Sequence, residues 1–270
     1  YMSRIIDTLG RRLSGKEKYY IRTAAVCHRG NMRSRNEDNL YFQGHILPML
    51  HEGTDGIRLY RQNAGRGFAA AVFDGMGGES AGELASFTAA DTMRGLLKRM
   101  RVESDEEIFE FCRELNGSVV RAAGKEKYVQ IGTTAVILSV QGNEYCLCNV
   151  GDSPAYFFRE GRLSLISVPH TNYRLLELQG AKGMKPSLTQ FLGLDEEDVL
   201  IEPHIQRGVL QKGDRILLCS DGLTDMIKDE EIESIMKRRA DAGQCVRILL
   251  EEALHKGGRD NITIILCDME

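Results

Sequence analysis

The sequence has no run of roughly eighteen apolar residues, so no helix in it is expected to span a bilayer. It has no C-x-x-C pair. Its seven cysteines (Cys27, Cys112, Cys146, Cys148, Cys219, Cys245 and Cys267) are odd in number, and several lie inside apolar runs. They read as reduced, buried thiols, not as a disulfide framework or a zinc site. Proline is scarce, with five in 270 residues and none clustered, and there is no repeat or low-complexity tract. A flexible linker therefore has no obvious seat, and one main domain is expected. The stretch Met2-Ser3-Arg4-Ile5-Ile6-Asp7 has no apolar signal core, which predicts a cytoplasmic protein. Neither sign of charge is in excess: 35 Lys and Arg against 39 Asp and Glu give −4. That balance argues against nucleic acid or a membrane surface as a partner.

What is present is a regular succession of apolar segments. Ile5, Ile6, Leu9 and Leu13 fall at helical spacing and predict a short helix over residues 3–15. That helix would occupy an N-terminal extension, residues 1–19, ahead of a domain covering 20–270. Residues 21–27, 67–73, 133–140, 145–150, 155–158, 215–219 and 262–267 read as strands, several apolar throughout and so buried on both faces. Gly142-Asn143 turns one pair. Residues 80–100, 105–123, 229–239 and 242–256 read as helices, with Ile108, Cys112, Leu115 and Val119 on one face of the second. Strands, a helix pair, strands, a helix pair and a last strand predict an α+β fold with helices packed outside sheets.

Acidic residues stand at the edges of these apolar runs: Asn36-Glu37-Asp38-Asn39, Asp74-Gly75, Gly151-Asp152-Ser153, Asp221-Gly222 and Arg259-Asp260-Asn261. One Asp-Gly after a strand is ordinarily a turn. Five such places in one chain predict acids converging on one rim, where carboxylates repel unless cations lie between them. All-oxygen donors select hard ions such as Mg2+ or Mn2+.

Six segments, in order, resemble the motifs of the protein phosphatase 2C (PPM) family. They are Arg33-Ser34-Arg35-Asn36-Glu37-Asp38-Asn39, Val72-Phe73-Asp74-Gly75-Met76-Gly77-Gly78, Gly132-Thr133-Thr134-Ala135, Asn149-Val150-Gly151-Asp152-Ser153-Pro154-Ala155-Tyr156, Cys219-Ser220-Asp221-Gly222-Leu223 and Gly258-Arg259-Asp260-Asn261-Ile262-Thr263. The resemblance implies a four-layer αββα sandwich, two central antiparallel sheets flanked by helix pairs. It implies a metal-dependent serine/threonine protein phosphatase of bacterial type, in which a water bridging two Mn2+ or Mg2+ ions attacks the phosphate ester. By the same resemblance Asp74 bridges both metals, the Gly75 carbonyl binds one, and Asp221 and Asp260 bind the other. Asp152 with Asp221 resembles a third, weaker metal site. Glu37 and Asp38 are similar to residues that hold metal-bound waters, Arg33 to the residue that grips the substrate phosphate, and Asn261 to one near the nucleophilic water. Phosphoproteins, including a Ser/Thr kinase and its targets, are the implied partners.

The chain departs from the family in places. Met76 stands where animal enzymes carry a His, Pro169 replaces the Asp before His170, and Gln190 stands where an Arg is common. His170 is expected to be structural. A flap over the site is expected at about 171–193, shorter than usual. Two competing readings remain open. Cys27-His28-Arg29-Gly30-Asn31-Met32-Arg33-Ser34 fits the C-x5-R-S/T loop of thiol phosphatases. A binding protein that has kept only the fold would be marked by lost metal ligands, and none is lost.

Overall fold

Strand alternation builds the molecule. The computed structural model describes residues 18–77, 81–98, 104–126, 131–181, 186–195, 199–238 and 241–270. The helix expected over residues 3–15 lies outside them. β1 (Tyr20–His28), β2 (Asp38–Phe42), β3 (Arg58–Asn63) and β4 (Phe68–Met76) come first, followed by α1 (Gly82–Leu96) and α2 (Asp105–Glu126). The short β5 (Gly132–Thr133) precedes β6 (Ala135–Gln141), β7 (Glu144–Val150), β8 (Ala155–Arg159) and β9 (Arg162–Leu165). After the short α3 (Tyr173–Leu178) come β10 (His204–Val209) and β11 (Arg215–Cys219). The remaining elements are α4 (Asp221–Thr224), α5 (Asp229–Met236), α6 (Ala242–His255) and β12 (Ile262–Met269).

The strands form two antiparallel sheets, β3-β1-β12-β11-β8-β9 and β10-β7-β6-β4-β2, with β5 paired to β4. On β12, Ile265 and Cys267 point between the sheets, while Ile262, Ile264 and Leu266 point toward α4, α5 and α6. On β4, Ala70 and Val72 point between the sheets, and Ala71 and Phe73 pack under α1 and α2. Successive strand residues face opposite ways, so a strand covered on both faces must be apolar throughout. Three cores result, one between the sheets and one under each helical layer, which is the expected α+β four-layer sandwich. No helix among the described residues is long and apolar enough to cross a membrane.

The expected strand over 133–140 is divided at Thr134, whose N–H donates to the Asp74 carbonyl at 2.9 Å instead of continuing the β6 ladder. β3, β9 and β10 are further strands, each polar and largely exposed at or near a sheet edge. The segment expected as a flap carries α3, none of whose residues is buried. Its base is closed by bridges from Thr171 to Leu188 and from Leu192 to Thr133.

A buried ion pair ties the second helical layer to its sheet. Arg215 on β11 donates to both carboxylate oxygens of Asp268 on β12, at 2.8 and 2.9 Å, and to the Met236 carbonyl at the end of α5, at 3.3 Å. Bidentate geometry and burial make the partners interdependent. Asp268→Ala takes the bidentate carboxylate from a buried guanidinium, and is expected to lower stability by about 3 kcal/mol, read from the urea unfolding midpoint.

Candidate active site

The same alternation aims the acids. Asp38 shares a face of β2 with Leu40 and Phe42, and Asp74 shares a face of β4 with Val72, so both point into the inter-sheet layer. The ladder register sets Asp38 opposite Asp74. From the other sheet, Ser220 follows β11 with the parity of Leu218, and Thr263 lies on β12 with the parity of Ile265. The four converge at one end of the central layer, with Asp221 and Asp260 one residue beyond Ser220 and two before Ile262.

Asp38 is 1% exposed. Its Oδ2 accepts hydrogen bonds from the Thr263 hydroxyl at 2.7 Å and the Ser220 hydroxyl at 2.8 Å. Burial pushes its pKa up to about 7, the two hydroxyls oppose the shift, and Asp221 and Asp260 add to it. Asp74 is partly exposed at the rim. Its pKa is raised well above the carboxylate range, first by desolvation and then by Asp38, Asp221, Asp260 and Asp152 in turn. One carboxylate thus feels four others. Thr134 fixes the end of its strand: the Asp74 N–H donates to Thr134 Oγ1 at 3.1 Å, and that hydroxyl meets Ser153 Oγ at 2.6 Å, beside Asp152. Gly75 has no room for a side chain, since a Cβ there would lie 2.2 Å from the Gly82 carbonyl and 2.4 Å from that of Glu37.

The loop from Arg29 to Glu37 is bound to the approach to β12. Asn261 donates from Nδ2 to the carbonyls of Arg29 at 2.8 Å and Arg35 at 2.9 Å, and its Oδ1 accepts the Glu37 N–H at 2.7 Å. Both amide donors are thereby committed to loop backbone. Asn261, expected beside the reacting water, is in this structure a residue that positions the loop. Gly30, with φ +80°, passes so near Asp260 that a Cβ would lie 2.1 Å from its carbonyl. Arg33, expected to meet a phosphate, rests its Nη2 on Asp260 Oδ2 at 2.6 Å with the side chain 50% exposed. The other oxygen of Asp260 accepts the Asn261 N–H at 2.8 Å. Glu37 lies beside Gly82; its pKa is raised by desolvation and then by Glu83.

The acids expected from the sequence are therefore brought together, but not as a ready metal cage: among the described residues no three His, Cys, Asp or Glu side chains form a compact ligand group. Asp38 is engaged by hydroxyls and Asp260 by Arg33. The donor set is all oxygen, and Asp38 and Asp74 are both pushed above the usual carboxylate range by burial and by neighbouring carboxylates, which favours a cation between the acids. On both grounds it fits hard divalent cations. Ser220, Thr263 and Thr134 are the functional residues that sequence reasoning missed; small hydroxyls next to motif acids were the available signal.

Cys27 faces the central core, 1% exposed. Burial, then Asp38, pushes its pKa up to about 12, which disfavours the exposed thiolate that the thiol-phosphatase reading needs. His170 is structural, as expected: Gly151, on the turn carrying Asp152, donates its N–H to His170 Nδ1 at 3.2 Å and accepts the His170 N–H at 3.0 Å. Gln190 braces the loop before β10, donating to the Leu200 carbonyl and accepting the Glu202 N–H.

The family model for protein phosphatase 2C matches residues 53–256. The serine/threonine phosphatase stp of Listeria welshimeri is 31% identical over 214 residues, covering 73% of this chain and 82% of that protein. The serine/threonine protein phosphatase PstP of Mycobacterium tuberculosis is 28% identical over 266 residues, 92% of this chain. The chain spans only 45% of the length of PstP. The catalytic domain of PstP, solved in complex with two manganese ions, superposes with a TM-score of 0.73 at 28% identity, over 93% of this chain and 99% of that domain.

Thr263→Val deletes one of the two hydroxyl donors to a buried carboxylate at nearly constant volume. It is expected to destabilise the protein by about 2 kcal/mol in urea unfolding, whereas a loss under about 0.5 kcal/mol would mean that Asp38 does not depend on that bond.

Proposed function

The chain belongs to the protein phosphatase 2C family, and from that premise we propose that it hydrolyses phosphoserine and phosphothreonine esters in proteins, using two Mn2+ or Mg2+ ions. One observation carries the reading: Asp74 lies within electrostatic reach of Asp38, Asp221, Asp260 and Asp152 at a rim that Arg33 overlooks. Asp74 would hold both cations, the Gly75 carbonyl would join one, and Asp221 and Asp260 would hold the other. Asp152 with Asp221 would make a third, weaker site. Bound cations supply a water that ionises near neutral pH and neutralise the phosphoryl oxygens.

The chain's own residues do the rest. Arg33 presents a planar fork of donors matched to phosphate. Half exposed, it can turn from Asp260 to a phosphoryl group entering the cleft. Glu37 holds water at the wall formed by Gly82. Asp38 works from beneath, its orientation set by Ser220 and Thr263. Asn261 keeps the loop bearing Arg33 and Glu37 at its distance from Asp260. The Met76 thioether has no proton to give, so the departing serine or threonine oxygen takes its proton from water. The products are the serine or threonine side chain with its hydroxyl restored, still in the protein, and inorganic phosphate.

A serine/threonine kinase and its targets are the phosphoproteins proposed as substrates, as the family resemblance implies. All seven cysteines are free, which suits a reducing, cytoplasmic compartment. Residues 20–270 act as the catalytic domain, with 171–193 as its flap and 1–19 as an extension.

Hydrolysis of p-nitrophenyl phosphate tests the reading. Activity is expected with Mn2+, is expected to vanish in excess EDTA, and is expected to fall about a thousandfold or more in Asp74→Asn. Cys27→Ser is expected to keep its rate within about twofold. Turnover that survives EDTA, or a collapse in Cys27→Ser, would overturn the metal mechanism.

A further inference from the structure

A cavity of about 340 Å3 opens between α1 and α2, lined by Leu84, Thr88, Ser118, Arg121, Ala122 and Lys125. Two cations and two hydroxyls line it, and among the described residues no carboxylate does. Arg121 and Lys125 are one helical turn apart on α2, so their charged ends share a face. Neither is in an ion pair among the described residues. Gly117 lies one turn before Arg121, and a Cβ there would be 3.0 Å from Arg121 Nη1. The guanidinium thus folds back over a residue that weakens a helix interior but leaves space for it. The Ser118 hydroxyl already donates to the Leu115 carbonyl at 2.6 Å, which leaves Thr88 as the hydroxyl free to donate among the described residues.

The cavity lies close to the acids. The first turn of α1 packs on the site, with the Gly82 carbonyl 2.2 Å from where a Cβ of Gly75 would be. Gly82 to Thr88 is roughly 9 Å at the helical rise. The end of α2 that carries Lys125 leads back to β5, which pairs with Gly75 and Met76. An extended peptide covers that distance, together with the step from the acids to Gly82, in about three to five residues. At roughly 30 Å3 per water in the liquid, the cavity has room for a phosphorylated side chain.

We propose that this cavity is a docking subsite for a second anionic group of the substrate, a phosphorylated or carboxylate side chain about three to five residues from the ester being hydrolysed. The proposal rests on the phosphatase reading above and deepens it. Charge complementarity supports it: in a chain of net charge −4, a cavity beside the acidic rim presents two cations and, among the described residues, no acid, and Arg121 offers the planar donor fork suited to phosphate.

The test uses phosphothreonine peptides that differ only at the position four residues away, on either side, carrying phosphoserine in one set and alanine in the other. Binding is read by fluorescence anisotropy on the Asp74→Asn protein, without turnover, and kcat/KM by phosphate release on the wild type. The second phosphate is expected to improve both about fivefold at low salt, through KM and not kcat, and less at high salt. In Arg121→Gln/Lys125→Gln the gain is expected to fall below about twofold, with p-nitrophenyl phosphate and the alanine peptides turned over as before. No gain in wild type, or an undiminished gain in the double variant, would overturn the proposal. A lowered melting temperature with the gain intact would do the same, marking the cations as a helix cap only. Selective binding without any hydrolysis would sustain the anion subsite and overturn the phosphatase reading alone.

Discussion

The ladder register that sets Asp38 opposite Asp74 puts two carboxylates side by side at one end of the inter-sheet layer. Much of what surrounds them answers that arrangement. Ser220 and Thr263 arrive from the facing sheet to solvate Asp38, so the two sheets are joined at this end by hydrogen bonds as well as by apolar packing. A slip of one residue between β2 and β4 would turn Leu40 and Phe42 out of the central core and Asp38 into the helical layer. The burial of the core and the aim of the acids are therefore one constraint. The same apolar alternation that makes the strands also makes the site.

That coupling explains which parts were legible in the sequence. Runs such as Ala70–Phe73 and Ile262–Cys267 are apolar at every or nearly every position because helices cover one face and a second sheet the other, and such runs announce themselves. The acids at their ends were visible for the same reason, as charge at the edge of greasy segments. β3 and β9 stayed hidden: Arg58–Asn63 and Arg162–Leu165 are sheet-edge strands held by backbone pairing, which leaves no mark on side-chain pattern. The pairings of Arg33 with Asp260 and of Asn261 with the Arg29–Glu37 loop were equally invisible, because each joins residues more than two hundred positions apart. So was the division at Thr134, where a threonine leaves one ladder to brace the end of another strand.

The glycines at the rim show how closely the layers approach there. Gly75 and Gly82 face each other with no space for a methyl group on either, and Glu37 closes on both. This contact joins the first helical layer to the acids. Movement of the first turn of α1 would therefore be felt at Gly75 and Glu37 before it was felt anywhere in the sheets.

The clamp made by Asn261 also has a consequence in time. A ribosome delivers Asp38 and Asp74 long before Asp260 and Asn261; at typical elongation rates the interval is roughly ten to forty seconds. Throughout it the loop bearing Arg33 has nothing to hold it, and β1 lacks the β12 partner that pairs with it along eight residues. The nascent chain must then keep a strand with a bare apolar edge from finding a wrong neighbour. The acidic rim is completed only when β12 arrives, so a polypeptide released early would carry Asp38, Asp74, Asp152 and Asp221 without the Asn261 clamp that joins the Arg33 loop to them.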